Sequence, residues 1–263
     1  MAEYTTIDVV HDGAVDWLTL NRPDRLNALD GAMVRELWDY FSGLQSDYER
    51  RIVVMRGAGK AFCAGLDLVW LKSAHSGAPN SATEKGPGPS LSDIILKMRS
   101  CPQAIVSLVH GAACGGGFNF VLASDIRIAG RSAKMNVAFV KLGLSGCELG
   151  TSYFLPRLAG GAVAAELMMT GRFLHAERAL AVGLVSEVVD DDQLENAARS
   201  LIKDLLAVSP MGLRKTKETM QSAAGIEDLA AVIALEEHTQ MSCVEAGSFT
   251  QRVDAFGTAK SAG

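Results

Sequence analysis

The stretch HGAACGGGFNFVLASD, His110 to Asp125, decides the fold. It continues an apolar run at 104–109 and passes through three glycines, Gly115 to Gly117, directly into a second apolar run. This order predicts a strand, a tight turn and a helix. Glycines in such a turn let backbone amides come close to a ligand, and the N-terminus of the following helix attracts negative charge at the same place. A glycine cluster considered alone is equally compatible with a turn that binds nothing.

The segments around this stretch repeat a strand–strand–helix order. Residues 7–20 predict two strands that turn at Asp12-Gly13, and 30–45 predict a helix capped by Asp30. Short apolar runs at 52–55 and 104–109 predict buried strands, and DIRIAG (125–130) predicts another. The sequence therefore predicts an α/β fold of repeated units, with inner sheets and outer helices.

Two segments of the chain depart from this order. Residues 73–90 are rich in proline and small polar residues and predict a loop. From about Asp190 apolar residues recur at helical spacing, and Ser209-Pro210 is expected to open a further helix. We divide the chain into a core at 1–190 and a helical region at 191–263. The apolar surface of that region predicts either a subunit interface or a cover for the core.

Composition excludes several classes of function. The chain has 263 residues, of which 48% are hydrophobic and 21% charged, and its net charge of −5 argues against a nucleic-acid surface. No apolar run reaches the roughly 18 residues that a membrane span needs. The first ten residues lack the pattern of a signal peptide, so we expect a cytoplasmic protein. The five cysteines and five histidines show no metal-ligand spacing, and we expect no metal.

Two turns remain as candidates for chemistry. GKAFCAGLDL (59–68) follows the strand at 52–55, and the triple glycine follows the strand at 104–109. Both turns are expected at one edge of one sheet. Backbone N–H groups from two separate turns can form an oxyanion hole, which stabilises a carbonyl oxygen as it gains negative charge.

The sequence resembles the enoyl-CoA hydratase/isomerase (crotonase) superfamily. This resemblance implies a crotonase-like spiral of ββα repeats with a C-terminal helical trimerisation region, assembled as a homotrimer or hexamer. It also implies an acyl-CoA substrate, with coenzyme A entering as part of the substrate and with no separate cofactor. The resemblance covers nearly the whole chain and rests on NRPDRLNALD (21–30), GKAFCAGLDL (59–68), VHGAACGGGF (109–118), ASDIRIAG (123–130), GTSYFLPRLAG (150–160) and MTGRFLHAERALAVGLVSEVV (169–189).

The resemblance also implies a set of site residues. The oxyanion-hole amides fall on Leu66 and Gly116, and either Arg22 or Arg25 is expected to face the coenzyme phosphates. The implied coenzyme A path, which is largely backbone, falls on Arg25, Leu26, Ala28, Ala64, Leu66, Asp67, Leu68 and Gly116.

The positions of the two hydratase glutamates carry Asn119 and Phe139, neither of which transfers protons. The best acid/base candidate is Glu148, expected to be desolvated against Phe139, Cys147 and Leu149. The alternative is a structural glutamate that caps the helix at Thr151 or pairs with an arginine such as Arg157. Asn119 is expected either to orient a water or acyl group by hydrogen bonding or to be a plain helix residue. His110 and Asp125 are expected to be structural.

These observations predict an enzyme that stabilises a thioester enolate and either hydrates or isomerises an unsaturated acyl-CoA. Two alternatives remain on the same scaffold. One is an acyl-CoA or carbon–carbon hydrolase that uses the same oxyanion hole, and the other is a member that binds acyl-CoA without turnover.

Overall fold

The computed structural model describes residues 4–75 and 88–247, together with 249 and 253. Most of the predicted loop at 73–90 therefore lies outside the described residues. The chain divides into two compact units, Met1–Ser200 and Leu201–Gly263. The predicted division at residue 190 separates an acyl-CoA-binding core from an oligomerisation region. That functional division stays a prediction.

The strands of the first unit form two sheets. Their bounds are β1 (Ile7–Asp12), β2 (Val15–Leu20), β3 (Ile52–Gly57), β4 (Ala104–Val109), β5 (Ala112–Cys114), β6 (Ile126–Gly130), β7 (Lys134–Asn136), β8 (Leu174–His175) and β9 (Glu187–Val189). Within the described residues, the main sheet has the order β1-β2-β3-β4-β6-β9 and the small sheet the order β5-β7-β8. In the main sheet β1 and β2 are antiparallel, as the predicted hairpin requires, whereas the pairs β2-β3, β3-β4, β4-β6 and β6-β9 are parallel. In the small sheet β5 and β7 are parallel and β7 and β8 antiparallel.

Helices cover the sheets and make up most of the second unit. Their bounds are α1 (Gly31–Gly43), α2 (Leu68–His75), α3 (Leu91–Ser100), α4 (Gly116–Ala123), α5 (Thr151–Ala159), α6 (Gly161–Thr170), α7 (Ala176–Ala181), α8 (Leu194–Ala207), α9 (Pro210–Ala223) and α10 (Leu229–Glu245). The predicted cap of α1 is confirmed, because the Asp30 carboxylate accepts a hydrogen bond from the Met33 N–H at 2.9 Å. None of the described helices is both long and apolar enough to span a bilayer.

The repeated unit is clearest in the middle of the chain. β4 lies in the main sheet, β5 in the small sheet, and α4 follows immediately. β6 and β7 repeat the first two steps, and Cys63 forms the corresponding bridge to Ala113 after β3. Every residue of β4 and α4 is buried, since both elements have protein on all sides. The predicted α/β fold of ββα repeats is confirmed.

The second unit is helical, as predicted. Ser209 caps α9, because its hydroxyl accepts a hydrogen bond from the Gly212 N–H at 3.0 Å, and Pro210 occupies the first helical position. Large apolar side chains on α9 and α10 are exposed, namely Met220, Leu229, Ile233, Met241 and Val244.

Candidate active site

The implied coenzyme A path lies on two backbone segments that run side by side. The Ala64 N–H donates to the Leu26 carbonyl at 2.9 Å, and the Leu29 N–H donates to the Gly65 carbonyl at 2.7 Å. The pairing continues at Asp67, whose N–H donates to the Leu29 carbonyl at 3.0 Å. The structure therefore places the implied residues of 25–28 beside those of 64–68.

The triple-glycine turn packs against the second of these segments. The Cys114 N–H donates to the Cys63 carbonyl at 2.9 Å. Gly65 has a φ of +90°, and a Cβ there would lie 2.6 Å from the Cys114 carbonyl oxygen and 3.7 Å from the Gly116 nitrogen. Only glycine allows so close an approach. The two turns, which are far apart in sequence, thus meet where Gly65, the residue before Leu66, lies against Cys114 and Gly116.

Two backbone N–H groups remain available at this meeting point. The pairing with Leu29 uses Gly65 and Asp67, the two neighbours of Leu66, and leaves the Leu66 N–H unused. Gly116 lies in the first turn of α4, where N–H groups have no acceptor within the helix. In the described parts of the chain, neither N–H donates to a protein acceptor. Such a pair can bind a developing oxyanion.

Apolar side chains lie close to Gly115 and Gly116. A Cβ at Gly116 would lie 2.9 Å from Leu29 Cδ1, 3.5 Å from Leu91 Cδ1 and 3.8 Å from Leu149 Cδ1. Phe139 is only 9% exposed, and its ring would lie 3.4 Å from a Cβ at Gly115. Glycine at position 116 avoids the close contact that a Cβ would make with Leu29 Cδ1.

Asn119 lies in α4 with only 1% of its surface exposed. Its side-chain Nδ2 donates to the Thr151 hydroxyl oxygen at 2.9 Å, to the Leu149 carbonyl at 3.1 Å and to the Glu148 carbonyl at 3.3 Å. The amide protons are thus directed at the turn before α5. The sequence predicted either a bond from this side chain to water or an acyl group, or a plain helix residue.

Glu148 lies in that same turn, and its side chain is exposed. The expected desolvation against Phe139, Cys147 and Leu149 is wrong, because Glu148 and Cys147 are both exposed and only Gly146 among residues 143–150 is buried. No side-chain hydrogen bond or ion pair holds the carboxylate within the described residues. The α5 N-cap is Gly150 without a side-chain cap.

The alternative pairing with Arg157 is also not observed. Arg157 donates to the Tyr153 carbonyl at 2.8 Å and lies over the Tyr153 ring. Glu148 therefore takes neither of the two structural roles considered for it, and its carboxylate is free to meet a ligand.

The two arginines of the 22–25 segment differ in their surroundings. Arg22 Nη2 pairs with Asp30 Oδ2 at 3.0 Å and with Asp67 Oδ2 at 3.1 Å. Burial alone would raise the pKa of Asp67, but the N–H of Trp70 and the guanidinium of Arg22 lower it overall. Arg22 is thus occupied, whereas Arg25 is exposed and has no side-chain partner among the described residues. Of the two, Arg25 is free to face a phosphate.

Sequence reasoning missed Asn27, which is completely buried. Its Nδ2 donates to the Ala61 carbonyl at 2.8 Å and to the Ala58 carbonyl at 2.9 Å, and its Oδ1 accepts from the Arg22 N–H at 2.9 Å. These bonds fix the two segments of the site to each other. The available signal was an asparagine next to the site in a turn, since asparagine tolerates the positive φ of 56° found here.

Other polar residues near the site are structural, as predicted. His110 Nε2 lies 3.0 Å from the Gly59 carbonyl oxygen. The Asp125 carboxylate accepts from the Ile105 N–H at 2.8 Å and pairs with Arg99 at 3.3 Å. Burial raises the pKa of the Cys63 thiol to about 12, which makes it a poor nucleophile. Among the described residues, no group of three His, Cys, Asp or Glu could hold a metal ion.

A cleft of about 880 Å³ opens nearby, beyond the ends of β3 and β4. It shares Leu26 with the implied coenzyme A path and is also lined by Lys60, His110 and Lys134. Neither Leu66, Gly116 nor Glu148 lines this cleft. The candidate chemistry therefore lies outside it.

Comparison with known proteins gives a consistent result. The enoyl-CoA hydratase/isomerase family model matches residues 11–260. A probable enoyl-CoA hydratase of Mycobacterium tuberculosis is 36% identical over 225 residues, covering 83% of this chain and 78% of the relative. The 1,2-epoxyphenylacetyl-CoA isomerase of Escherichia coli K12 is 33% identical over 247 residues, covering 91% and 90%. A Thermobifida fusca YX protein solved in complex with acetoacetyl-CoA is 30% identical, with coverages of 92% and 95% and a TM-score of 0.80.

Proposed function

Since this chain belongs to the enoyl-CoA hydratase/isomerase family, we propose that it shifts the double bond of an unsaturated acyl-CoA. The N–H groups of Leu66 and Gly116 donate to the thioester oxygen. The Glu148 carboxylate removes a proton from one carbon of the acyl chain, and the electrons of that C–H bond move into a dienolate whose oxygen the two N–H groups stabilise. Glu148 then returns the proton to a different carbon, so no atom is gained or lost.

The observation that favours isomerisation over hydration is the state of the two hydratase positions. Addition of water needs polar groups that hold and activate the water. Here the Asn119 amide protons are directed at the turn before α5, and the Phe139 ring packs against the glycine turn. One free carboxylate, Glu148, is enough for moving a proton along a chain.

Coenzyme A is expected to bind along the paired backbone segments. Arg25, Leu26 and Ala28 provide one side, and Ala64, Asp67 and Leu68 provide the other. Arg25 is the free cation nearest to this path among the described residues of 22–28. A similar protein has been solved with acetoacetyl-CoA bound, which supports an acyl-CoA ligand here.

Product analysis tests this function. The purified protein is incubated with a panel of 2-enoyl-, 3-enoyl- and dienoyl-CoA thioesters, and the products are followed by mass spectrometry and NMR. We expect an unchanged mass in ordinary water, a moved double bond, and deuterium incorporation when the reaction runs in D₂O. A product heavier by one water would show a hydratase, and free coenzyme A would show a hydrolase. Acyl-CoA binding without any product would show a non-catalytic member, and each of these three results contradicts the proposal.

A further inference from the structure

We propose that Asn119 is a positioning residue, which holds the turn at 147–151 (the Glu148 turn) so that the carboxylate of Glu148 faces the acyl chain. This inference rests on the proposed function, because it assigns to Asn119 a role that acts through Glu148. It also gives the asparagine a task different from proton transfer and different from contact with the substrate.

The first argument is the direction of the side-chain bonds. Asn119 Nδ2 lies within hydrogen-bond distance of three acceptors, which belong to Glu148, Leu149 and Thr151. An amide nitrogen has two protons, so they are shared among these three acceptors. Asn119 is only 1% exposed, and water cannot readily replace these bonds if the amide is removed.

The second argument is that the Glu148 turn has a backbone conformation that needs support. Leu149 has a φ of +50° and Gly150 a φ of +82°, so two successive residues are left-handed. Leucine rarely adopts this conformation, and it persists only where the surroundings enforce it. The bonds from Asn119 reach the carbonyl groups of Glu148 and Leu149, which belong to the two peptide units on either side of the left-handed Leu149.

The third argument is that Thr151 completes the same network. Its hydroxyl accepts from Asn119 and donates to the Glu148 carbonyl at 2.6 Å, while its N–H donates to that carbonyl at 2.9 Å. The Glu148 carbonyl therefore has three protein donors, although the Glu148 carboxylate has no partner among the described residues. The backbone of Glu148 is fixed and its carboxylate is left free, as a proton-transfer group requires.

A double-mutant cycle tests this role. Turnover is measured for wild type, Asn119→Ala, Glu148→Gln and the double variant on the acyl-CoA that reacts. We expect Asn119→Ala to lower kcat by about 10- to 100-fold with little change in KM, because the carboxylate is misplaced while binding is kept. In the Glu148→Gln background the same change should have no further effect. Thr151→Val, which removes the shared hydroxyl, should behave in the same direction as Asn119→Ala.

Hydrogen exchange provides a readout that does not depend on activity. The Thr151 N–H, bonded to the Glu148 carbonyl, should exchange faster in Asn119→Ala than in wild type. The matched control is Ser124→Ala, which removes a buried hydroxyl from the other end of α4, where it donates to the Phe120 carbonyl at 2.8 Å. This control should leave both kcat and Thr151 exchange unchanged.

The outcomes separate the two claims. Full activity of Glu148→Gln would refute the proposed proton transfer, and with it the purpose assigned to Asn119. A Glu148→Gln variant of low activity combined with independent, multiplying effects in the double variant would leave proton transfer intact and overturn the positioning role. Unchanged Thr151 exchange in Asn119→Ala would also overturn it.

Discussion

Phe139 is one of the two residues on which the proposed preference for isomerisation over hydration rests. Its ring packs beside Gly115, at a place where a second carboxylate would be needed to activate water. The exchange of a carboxylate for a ring was visible in the sequence through the spacing from Asn119. The exposure of Glu148 was not visible, because burial of one side chain depends on how a short turn projects from the surface. The hydrogen bonds of Asn119 were not visible either, because they depend on how the turn before α5 packs against α4.

Gly116→Pro should weaken binding and turnover together. The change removes one of the two free N–H groups, and the added ring atoms meet Leu29 Cδ1, which lies 2.9 Å from a Cβ at this position. Acyl-CoA affinity by calorimetry and kcat/KM should both fall, the latter by roughly 100-fold or more. The control is Gly161→Pro, at the first position of α6, where proline is tolerated and a Cβ meets nothing within 4 Å. Wild-type affinity in Gly116→Pro would exclude this amide from the site.

Phe139→Glu should give the protein some hydratase activity in addition to isomerisation. A carboxylate would then lie near the glycine turn, and the added product would be heavier by one water on mass analysis. Phe139→Gln is the control, since glutamine is polar and as long as glutamate but cannot transfer a proton. Both variants should lower the melting temperature, because the ring is 9% exposed and an uncompensated polar group would replace it. An equal yield of hydrated product from both variants would contradict a role for the carboxylate.

At the scale of elements, periodicity and caps carried most of the prediction. The hairpin at 7–20, the helix after Asp30, the strands at 52–55 and 104–109 and the helix opened by Ser209-Pro210 are all confirmed. The small sheet could not be predicted, because its strands have two or three residues each and no alternation can be read from so few. Its strands matter, since β5 leads into the glycine turn.

Glu36 joins the middle of α1 to the segment before β1, and its replacement should change how stability depends on pH. Its carboxylate accepts hydrogen bonds from the N–H and hydroxyl groups of Thr5 and Thr6, at 2.6–2.9 Å. Burial alone would raise the pKa of Glu36, but these bonds lower it overall. Because the folded pKa is depressed, the stabilisation is fully present above the ordinary value of about 4.3 and is lost as the pH falls through the folded pKa.

Glu36→Gln should therefore lower the free energy of unfolding by about 1 kcal/mol at neutral pH, a value reduced for partial exposure. The difference from wild type should shrink as the solution is acidified below about pH 4. Denaturant titrations of both proteins at neutral pH and below about pH 4 measure this difference in the free energy of unfolding. The control is Glu49→Gln, since no side-chain partner of Glu49 is found in the described residues. A difference that stays constant on acidification would show that the charge is not the stabilising feature.

At the scale of the whole molecule, the candidate site lies within the first unit and the exposed apolar helices lie in the second. The order of strands and helices over 250 residues could be expected from the resemblance, and the match to residues 11–260 agrees with it. The acyl chain that is accepted could not be predicted, because it depends on how side chains pack around the site, which sequence patterns do not determine.

We expect the protein to form a homotrimer or a hexamer. The α9 and α10 helices expose Met220, Leu229 and Ile233 among other large apolar side chains, and burial of such surface favours association. Light scattering at micromolar protein should give three or six times the chain mass of 27.9 kDa. Replacing Met220 and Leu229 with glutamate should lower that mass, whereas a monomeric wild type would contradict the expectation.

The central claim is that one carboxylate, Glu148, moves the proton. The most direct measurement compares the turnover of Glu148→Gln with that of wild type on the acyl-CoA that is isomerised, with affinity measured in parallel. The substitution keeps the size of the side chain and removes its ability to take a proton. We predict a rate lower by roughly 10²- to 10⁴-fold at unchanged affinity, the usual contribution of general acid–base catalysis. A Glu148→Gln variant that isomerises the substrate at nearly the wild-type rate would contradict the account.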